Sequence, residues 1–163
     1  MRRLVISAAA ILLSSATAAM AAPASVSVTV GPELQAEAVK TLGVRDVNDL
    51  ASQLQSTVEK RLAKSPAYDG ARVELVLADA KPNHPTFKQL GDRPGLSYES
   101  FGVGGAKIEG RSIAADGAVT PIAYRYYESD IRYARRGGTW ADAESAFQRF
   151  AYELGRGRTL ASR

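Results

Sequence analysis

His84 is the single histidine of the chain and the first residue to consider for catalysis. With Asp92 and Ser97 it could form a hydrolytic triad, in which the imidazole takes a proton from the serine and the carboxylate orients the imidazole. The sequence has no G-x-S-x-G elbow to present such a serine, since Ser97 lies in GLSYE with its glycine at the wrong offset. A small hydrolase using His84 is therefore the alternative hypothesis for this protein.

Metal and glycosidase chemistry would both need acidic side chains. The carboxylates that could join His84 around a metal ion are Asp79, Asp92 and Glu99, but they lack a compact ligand spacing. Glu99 and Glu109 could in principle form the carboxyl pair of a glycoside hydrolase, although both positions are more typical of polar strand residues. The chain has no cysteine, which excludes disulfides, thiolate metal ligands and a cysteine nucleophile. We therefore predict no metal site and no cofactor.

The segment ESFGVGGAKIEG, residues 99–110, has glycines and a lysine like those of a phosphate-binding loop. A Walker loop requires a glycine before its lysine and a hydroxyl after it, but here Ala106 precedes Lys107 and Ile108 follows it. The dinucleotide-binding fingerprint G-x-G-x-x-G does not match either, because Lys107 occupies the position of its third glycine. The pattern favours the start of a β-hairpin.

The hairpin is predicted from AKIEGRSIA, the turn ADG, and AVTPIAYRYYESDI. A three-residue loop at 115–117 would place Gly117 at the left-handed position of a G1 bulge, with Ile108 opposite Tyr124. In that register, one face is apolar and carries Ala106, Ile108, Ile122, Tyr124 and Tyr126. The other face carries Lys107, Glu109, Arg111 and Arg125. The hairpin should therefore turn one side to a core and the other to solvent or a partner.

Aromatic and arginine side chains concentrate around the hairpin and the segment before it, a combination typical of binding patches. The candidate binding residues are Tyr98, Phe101, Arg125, Tyr127 and Arg132. A sheet beneath helices has a similar composition, and for Tyr124 and Tyr126 we expect core packing. The main hypothesis is a non-enzymatic domain that binds a protein or cell-envelope component through the 81–100 loop and the 106–126 hairpin.

The elements that must position these residues follow from hydrophobic periodicity. Alternation in residues 25–31 predicts a strand, and a short helix should run from Pro32 to Leu42, where Gly43 closes it. Asp46 is the expected N-cap of a longer helix that ends at Ser65-Pro66. The apolar stripe of that helix comprises Val47, Leu50, Leu54, Val58 and Leu62.

The second half of the chain is predicted to supply the rest of a sheet and one more helix. Residues 71–80 alternate as a strand, and residues 81–100 form a long loop without regular structure, which is typical of a functional or mobile segment. After the hairpin and an arginine-rich turn, Thr139 with Asp142 resembles a capping box for a helix that ends at Gly155. A short basic tail follows, which we expect to be frayed.

This order predicts one α+β domain over residues 22–163, a four-stranded mixed sheet with amphipathic helices packed on one face. Residues 1–21 have the pattern of a signal peptide, namely Arg2 and Arg3, a short apolar run and an A-x-A site ending at Ala21. The run is too short to span a bilayer, so we expect no transmembrane span in the mature chain. The mature protein should be periplasmic or secreted.

The net charge bears on the possible partners. Loss of Arg2 and Arg3 would lower Lys+Arg from 21 to 19 against 17 acidic residues, so the net charge would fall from +4 to +2. A charge this small gives no case for a nucleic-acid partner.

The chain resembles uncharacterised exported proteins of proteobacteria. The resemblance rests on the export signal and on the segments VELVLADAKP, FGVGGAKIEG, ADG and TWADAESAFQRFA. Some of those are small lipoproteins of β-α-β-β-α build. The resemblance spans residues 25–155 and includes no catalytic motif, so it implies a fold and an export route but no site residues. The lack of cysteine departs from the lipoprotein members.

Overall fold

The structure is a computed structural model that describes residues 25–158 and residue 160. The signal peptide predicted for residues 1–21 lies outside the described residues. The elements in chain order are β1 (Ser25–Val30), α1 (Pro32–Glu37), a π-helical turn (Ala38–Leu42), α2 (Val44–Leu62), a 3-10 turn (Pro66–Tyr68), β2 (Arg72–Lys81), α3 (Phe87–Asp92), β3 (Gly105–Ile113), β4 (Val119–Tyr127) and α4 (Ala141–Gly155).

The strands form a four-stranded mixed sheet in the order β1-β2-β3-β4. β1 and β2 are parallel, and the crossover between them contains α1 and α2, as a parallel connection requires. The other neighbouring strands are antiparallel. α2 packs against β1 and α4, while α4 packs against β3 and β4. The predicted α+β fold class is confirmed.

The hairpin adopts the predicted register. Ile108 pairs with Tyr124, and the amide of Ala114 donates to the carbonyl of Ala118 at 2.9 Å. Gly117 has a φ of 87°, a left-handed conformation that suits glycine at this turn. Ile108 is fully buried and Tyr124 packs against the core, whereas the charged residues of β3 are exposed. The amphipathic hairpin is therefore confirmed.

β2 contains a bulge that aims one side chain away from the helices. Its pairing with β3 shifts between Leu77 and Asp79, so Ala78 is the additional residue. After the bulge, Asp79 lies exposed on the outer face of the sheet and Ala80 returns to the buried face. The bulge thus places a carboxylate on the outer face close to the end of the strand.

The apolar stripe of α2 is buried as predicted, but the expected N-caps are wrong in both long helices. α2 begins directly after Gly43, whose φ is 98°, and Asp46 lies inside the first turn instead of capping it. α4 begins after Trp140, and no side chain caps it. Asp142 bonds to groups outside the helix, so the predicted capping box with Thr139 does not form.

The segment 81–100 is more ordered than predicted. It contains α3, where the Thr86 hydroxyl accepts a bond from the amide of Gln89 at 3.3 Å and the Gln89 side chain accepts one from the amide of Thr86 at 3.0 Å. This reciprocal capping box is what allows so short a helix to form. The prediction of a segment without regular structure is therefore wrong for Phe87–Asp92.

The C-terminal tail contacts the sheet at one described residue. The carbonyl of Leu160 accepts a hydrogen bond of 2.6 Å from the amide of Ala123 on β4, and the Leu160 side chain packs against the core. The expectation of a frayed tail is wrong at this residue.

Among residues 25–158, no helix combines the length and apolarity that a membrane crossing needs.

Candidate binding site

The connections that carry most candidate residues meet at one end of the sheet. β1 and β2 both finish there, β3 starts there and β4 finishes there. We call this the loop end and define it as segments 82–104 and 128–140. The opposite end carries the tight turn of the hairpin.

A buried polar junction holds the loop end together. Asn83 and Asp142 are each 2% exposed. The Asn83 side-chain amide donates to Asp142 Oδ2 at 2.6 Å, and the amide of Asp142 donates to Asn83 Oδ1 at 2.8 Å. The same carboxylate accepts bonds from the backbone amides of Gly104, at 3.0 Å, and Arg135, at 3.1 Å. One buried Asn–Asp pair thus ties the segments at Asn83, Gly104 and Arg135 to the start of α4.

An aromatic cluster lies beside this junction and consists of His84, Tyr98 and Phe101. The rings of His84 and Tyr98 stack with centroids 5.5 Å apart and planes at 15°, and the His84 and Phe101 centroids are 6.1 Å apart. His84 Nδ1 is 3.1 Å from the carbonyl oxygen of Tyr98. The Arg136 guanidinium lies 4.3 Å from the Phe101 centroid, a cation–π distance. The structure therefore brings together three of the residues singled out in the sequence.

A wide, open cleft of about 530 Å³ adjoins the aromatic cluster. Its walls come from the π-helical turn, the end of β2, α3 and the segment around Phe101. Its charged and polar lining residues include Glu37, Asp79, Lys81, His84, Gln89 and Arg93. The mixture of acidic and basic groups suits a polar ligand or a peptide surface better than a purely apolar molecule.

Tyr98 lines a smaller depression of about 170 Å³. Its lining includes Pro85, Phe87, Tyr98 and Trp140. Phe87 is 83% exposed and Tyr98 is 51% exposed, so both rings stand at the surface. We call the exposed rings of Phe87 and Tyr98 the aromatic pair.

The other candidate binding residues occupy different places. Arg125 and Tyr127 lie on β4, and the Tyr127 hydroxyl donates to Asp79, which lines the open cleft. Tyr127 is thus connected to the cleft through that carboxylate. Arg132 follows β4 and binds Asp130 through its guanidinium, with an Nε–Oδ2 distance of 2.9 Å.

The ionisation of these groups follows from their partners. Burial raises the pKa of the Tyr127 hydroxyl, and its hydrogen bond to Asp79 raises the pKa further. The Arg132 guanidinium, with a backbone bond from the same residue, lowers the pKa of the Asp130 carboxyl. Arg132 therefore already has a local anionic partner, whereas Tyr127 remains a neutral donor at ordinary pH.

The structure does not assemble the triad considered for His84. Asp92 bonds to Lys88 at 2.7 Å, and the Ser97 hydroxyl accepts from the amide of Glu99 at 3.1 Å. Within the described ranges, neither Asp92 nor Ser97 is hydrogen-bonded to His84. Glu109 forms an ion pair with Lys107 on the outer face of β3 at 2.7 Å. No cluster of three or more potential metal ligands occurs in residues 25–158.

Several site residues were missed by the sequence reasoning. The Thr86-x-x-Gln89 spacing was a visible signal for α3, and with it for the placement of Phe87. Asn83 and Arg136 carried no comparable signal, and Asp142 carried that of a capping residue, because their partners lie far away in the sequence. No protein-family model matches this chain, and no curated protein is significantly similar to it.

Proposed function

We propose that this protein is an exported, non-enzymatic domain that binds a protein or cell-envelope component through its loop end and the adjoining outer face of the hairpin. The observation that carries the proposal is the aromatic pair, Phe87 and Tyr98, whose side chains are exposed and line the smaller depression. Large aromatic side chains with a polar rim are characteristic of the energetic centres of interfaces.

The aromatic pair is held on an ordered support. Phe87 is the first residue of α3, whose capping box limits the motion of the backbone, and Tyr98 is stacked on His84. The chain just before α3 is anchored at Asn83 by the buried junction with Asp142. Little conformational entropy should be lost on binding, so more of the contact energy would appear as affinity.

Binding is favoured over hydrolysis by the surroundings of His84. Its Nδ1 faces a backbone carbonyl, and the two side chains that could complete a triad bond elsewhere. The imidazole instead forms the centre of the aromatic cluster. The ring contacts of His84 favour a structural role, in which the imidazole packs against the rings of Tyr98 and Phe101 and holds them in place.

The export part of the proposal is supported by the sequence pattern of residues 1–21. N-terminal sequencing of the protein from a periplasmic or secreted fraction tests it. We expect the mature chain to start at Ala22. An uncleaved chain that stays in the cytoplasmic fraction would contradict this part and would leave the binding proposal to be judged separately.

The binding part is tested with the double variant Phe87→Ser with Tyr98→Ser. Deletion of residues 81–100 is a poorer test, because it would remove the buried residues Asn83 and Thr86. The matched control is Tyr152→Ser, an exposed tyrosine on α4. The tagged proteins are incubated with envelope extract, and each recovered component is quantified.

A component that binds at the loop end should be recovered about 10-fold less by the double variant and equally by the control. The unfolding midpoints of all three proteins should agree, since each of the three mutated rings is exposed at the surface. Equal recovery by the parent and the double variant would contradict the proposal.

A further inference from the structure

A further pocket lies between the arginine-rich turn and the start of α4. Its volume is about 400 Å³. One wall is a stripe of α4 at spacings of three, four and seven residues, formed by Ala141, Glu144, Ser145 and Gln148. The other wall is the turn Arg135–Gly137. The small side chain of Ala141 leaves the space between the two walls open.

Ser145 gives this pocket an unused donor. Its side chain is one of the few buried polar ones, with only 6% of the residue exposed. In the described part of the chain its hydroxyl has no hydrogen-bond partner, although every fully buried side-chain polar atom there has one. Ser145 is one of the residues that line the pocket.

The arginines beside Ser145 are also without acidic partners. Among residues 25–158, neither Arg135 nor Arg136 is within ion-pair distance of a carboxylate. Arg136 is held on the ring of Phe101, and the backbone of Arg135 is fixed by its bond to Asp142. Two arginines thus line one pocket that has a single acidic lining residue, Glu144.

We propose that this pocket binds a phosphate-type oxyanion. Guanidinium groups donate paired hydrogen bonds to such anions, and the Ser145 hydroxyl and the Gln148 amide can donate to the remaining oxygens. Four donor groups around one pocket suit the oxygens of a tetrahedral phosphate better than the two oxygens of a carboxylate. Glu144 repels the anion and limits its affinity. Neither ring of the aromatic pair lines this pocket.

The test is a titration of the ¹⁵N-labelled full chain with sodium phosphate, followed by NMR at constant pH and ionic strength. Sodium chloride at matched ionic strength controls for general screening, and sodium acetate is the carboxylate arm. We expect saturable shifts of the amides of residues 135–137, 145 and 148 with phosphate. Acetate should bind at least about 3-fold more weakly, since it can accept fewer of these bonds.

Variants distinguish a built site from an incidental one. Arg135→Gln or Arg136→Gln should weaken phosphate binding by about 5-fold or more, and Ser145→Ala by about 3-fold. Glu144→Gln should tighten it by about 2-fold, because it removes a repelling charge. The matched control is Arg149→Gln, an α4 arginine that is likewise held over a ring, with its guanidinium 4.4 Å from the Tyr126 centroid.

Unchanged binding in Arg149→Gln and in the Phe87→Ser with Tyr98→Ser double variant would support a separate site at this pocket. Shifts that do not saturate, or that spread over all exposed arginines, would show that no specific site exists. Equal losses in Arg135→Gln and Arg149→Gln would also overturn the proposal.

Discussion

Asn83 and Asp142 bond reciprocally in the interior of the loop end: Asn83 Nδ2 donates to Asp142 Oδ2 at 2.6 Å, and the backbone amide of Asp142 donates to Asn83 Oδ1 at 2.8 Å. The two residues are 59 positions apart in the chain. Because the same carboxylate also binds the amides of Gly104 and Arg135, this contact connects the segment before β3 to the turn before α4. The surface that carries the proposed function depends on it.

Removal of that carboxylate should destabilise the protein. We expect Asp142→Ala to lower the free energy of unfolding by about 3 kcal/mol, because buried donors lose a charged acceptor. Urea unfolding at neutral pH measures the change. Glu144→Gln, two positions further along α4, should change it by less than about 0.5 kcal/mol. A loss below about 0.5 kcal/mol in Asp142→Ala would mean that the junction does not hold the loop end together.

Gly110 is the position on β3 where a side chain has least room. A Cβ there would lie 2.1 Å from the backbone carbonyl oxygen of Glu74, and φ is +153°, which other residues rarely adopt. Gly110→Ala should therefore lower the free energy of unfolding by about 1–3 kcal/mol. Gly102→Ala is the control, since no described atom beyond its own chain neighbours lies within 4 Å of its Cβ position. Equal urea midpoints for the two variants would contradict the observed approach of β2 and β3.

The sheet and the hairpin could be predicted because their signals are local. The ADG turn and the alternation around Ile108 and Tyr124 together specify one register, since a shift by one residue would exchange the faces of a strand. The apolar stripe of α2 is equally local. The N-caps were mispredicted because Asp46 and Asp142 have the composition of capping residues but different partners in the fold. Propensity alone does not reveal such tertiary partners.

The candidate site could be predicted only in part. Tyr98 and Phe101 lie close in sequence to His84, and the structure stacks all three. Arg125 and Arg132 were grouped with them by composition, but β4 and the turn after it place these arginines elsewhere. Arg136 reaches Phe101 across 35 positions of sequence, and only the folded sheet brings such residues together.

Stability at high pH should depend on Tyr127. Its pKa is raised above the ordinary value of 10.0 by burial and by the bond to Asp79. The unfolded chain therefore loses this proton first, so the contribution of Tyr127 is fully present below pH 10 and declines as the pH rises further. Urea unfolding between about pH 8 and 11 should give a smaller loss of stability for Tyr127→Phe than for the parent. Identical pH slopes for the two proteins would contradict this assignment.

Site-specific photocrosslinking in cells tests the proposed binding surface most directly. A photoreactive residue is placed at position 98 in the loop end, at 119 on the far end of the hairpin, or at 152 on α4, each exposed in the fold. We predict a discrete adduct from position 98 that is lost when Phe87→Ser is added, with no matching adduct from 119 or 152. Adducts of equal yield from all three positions, or from 119 and 152 alone, would contradict binding through the loop end.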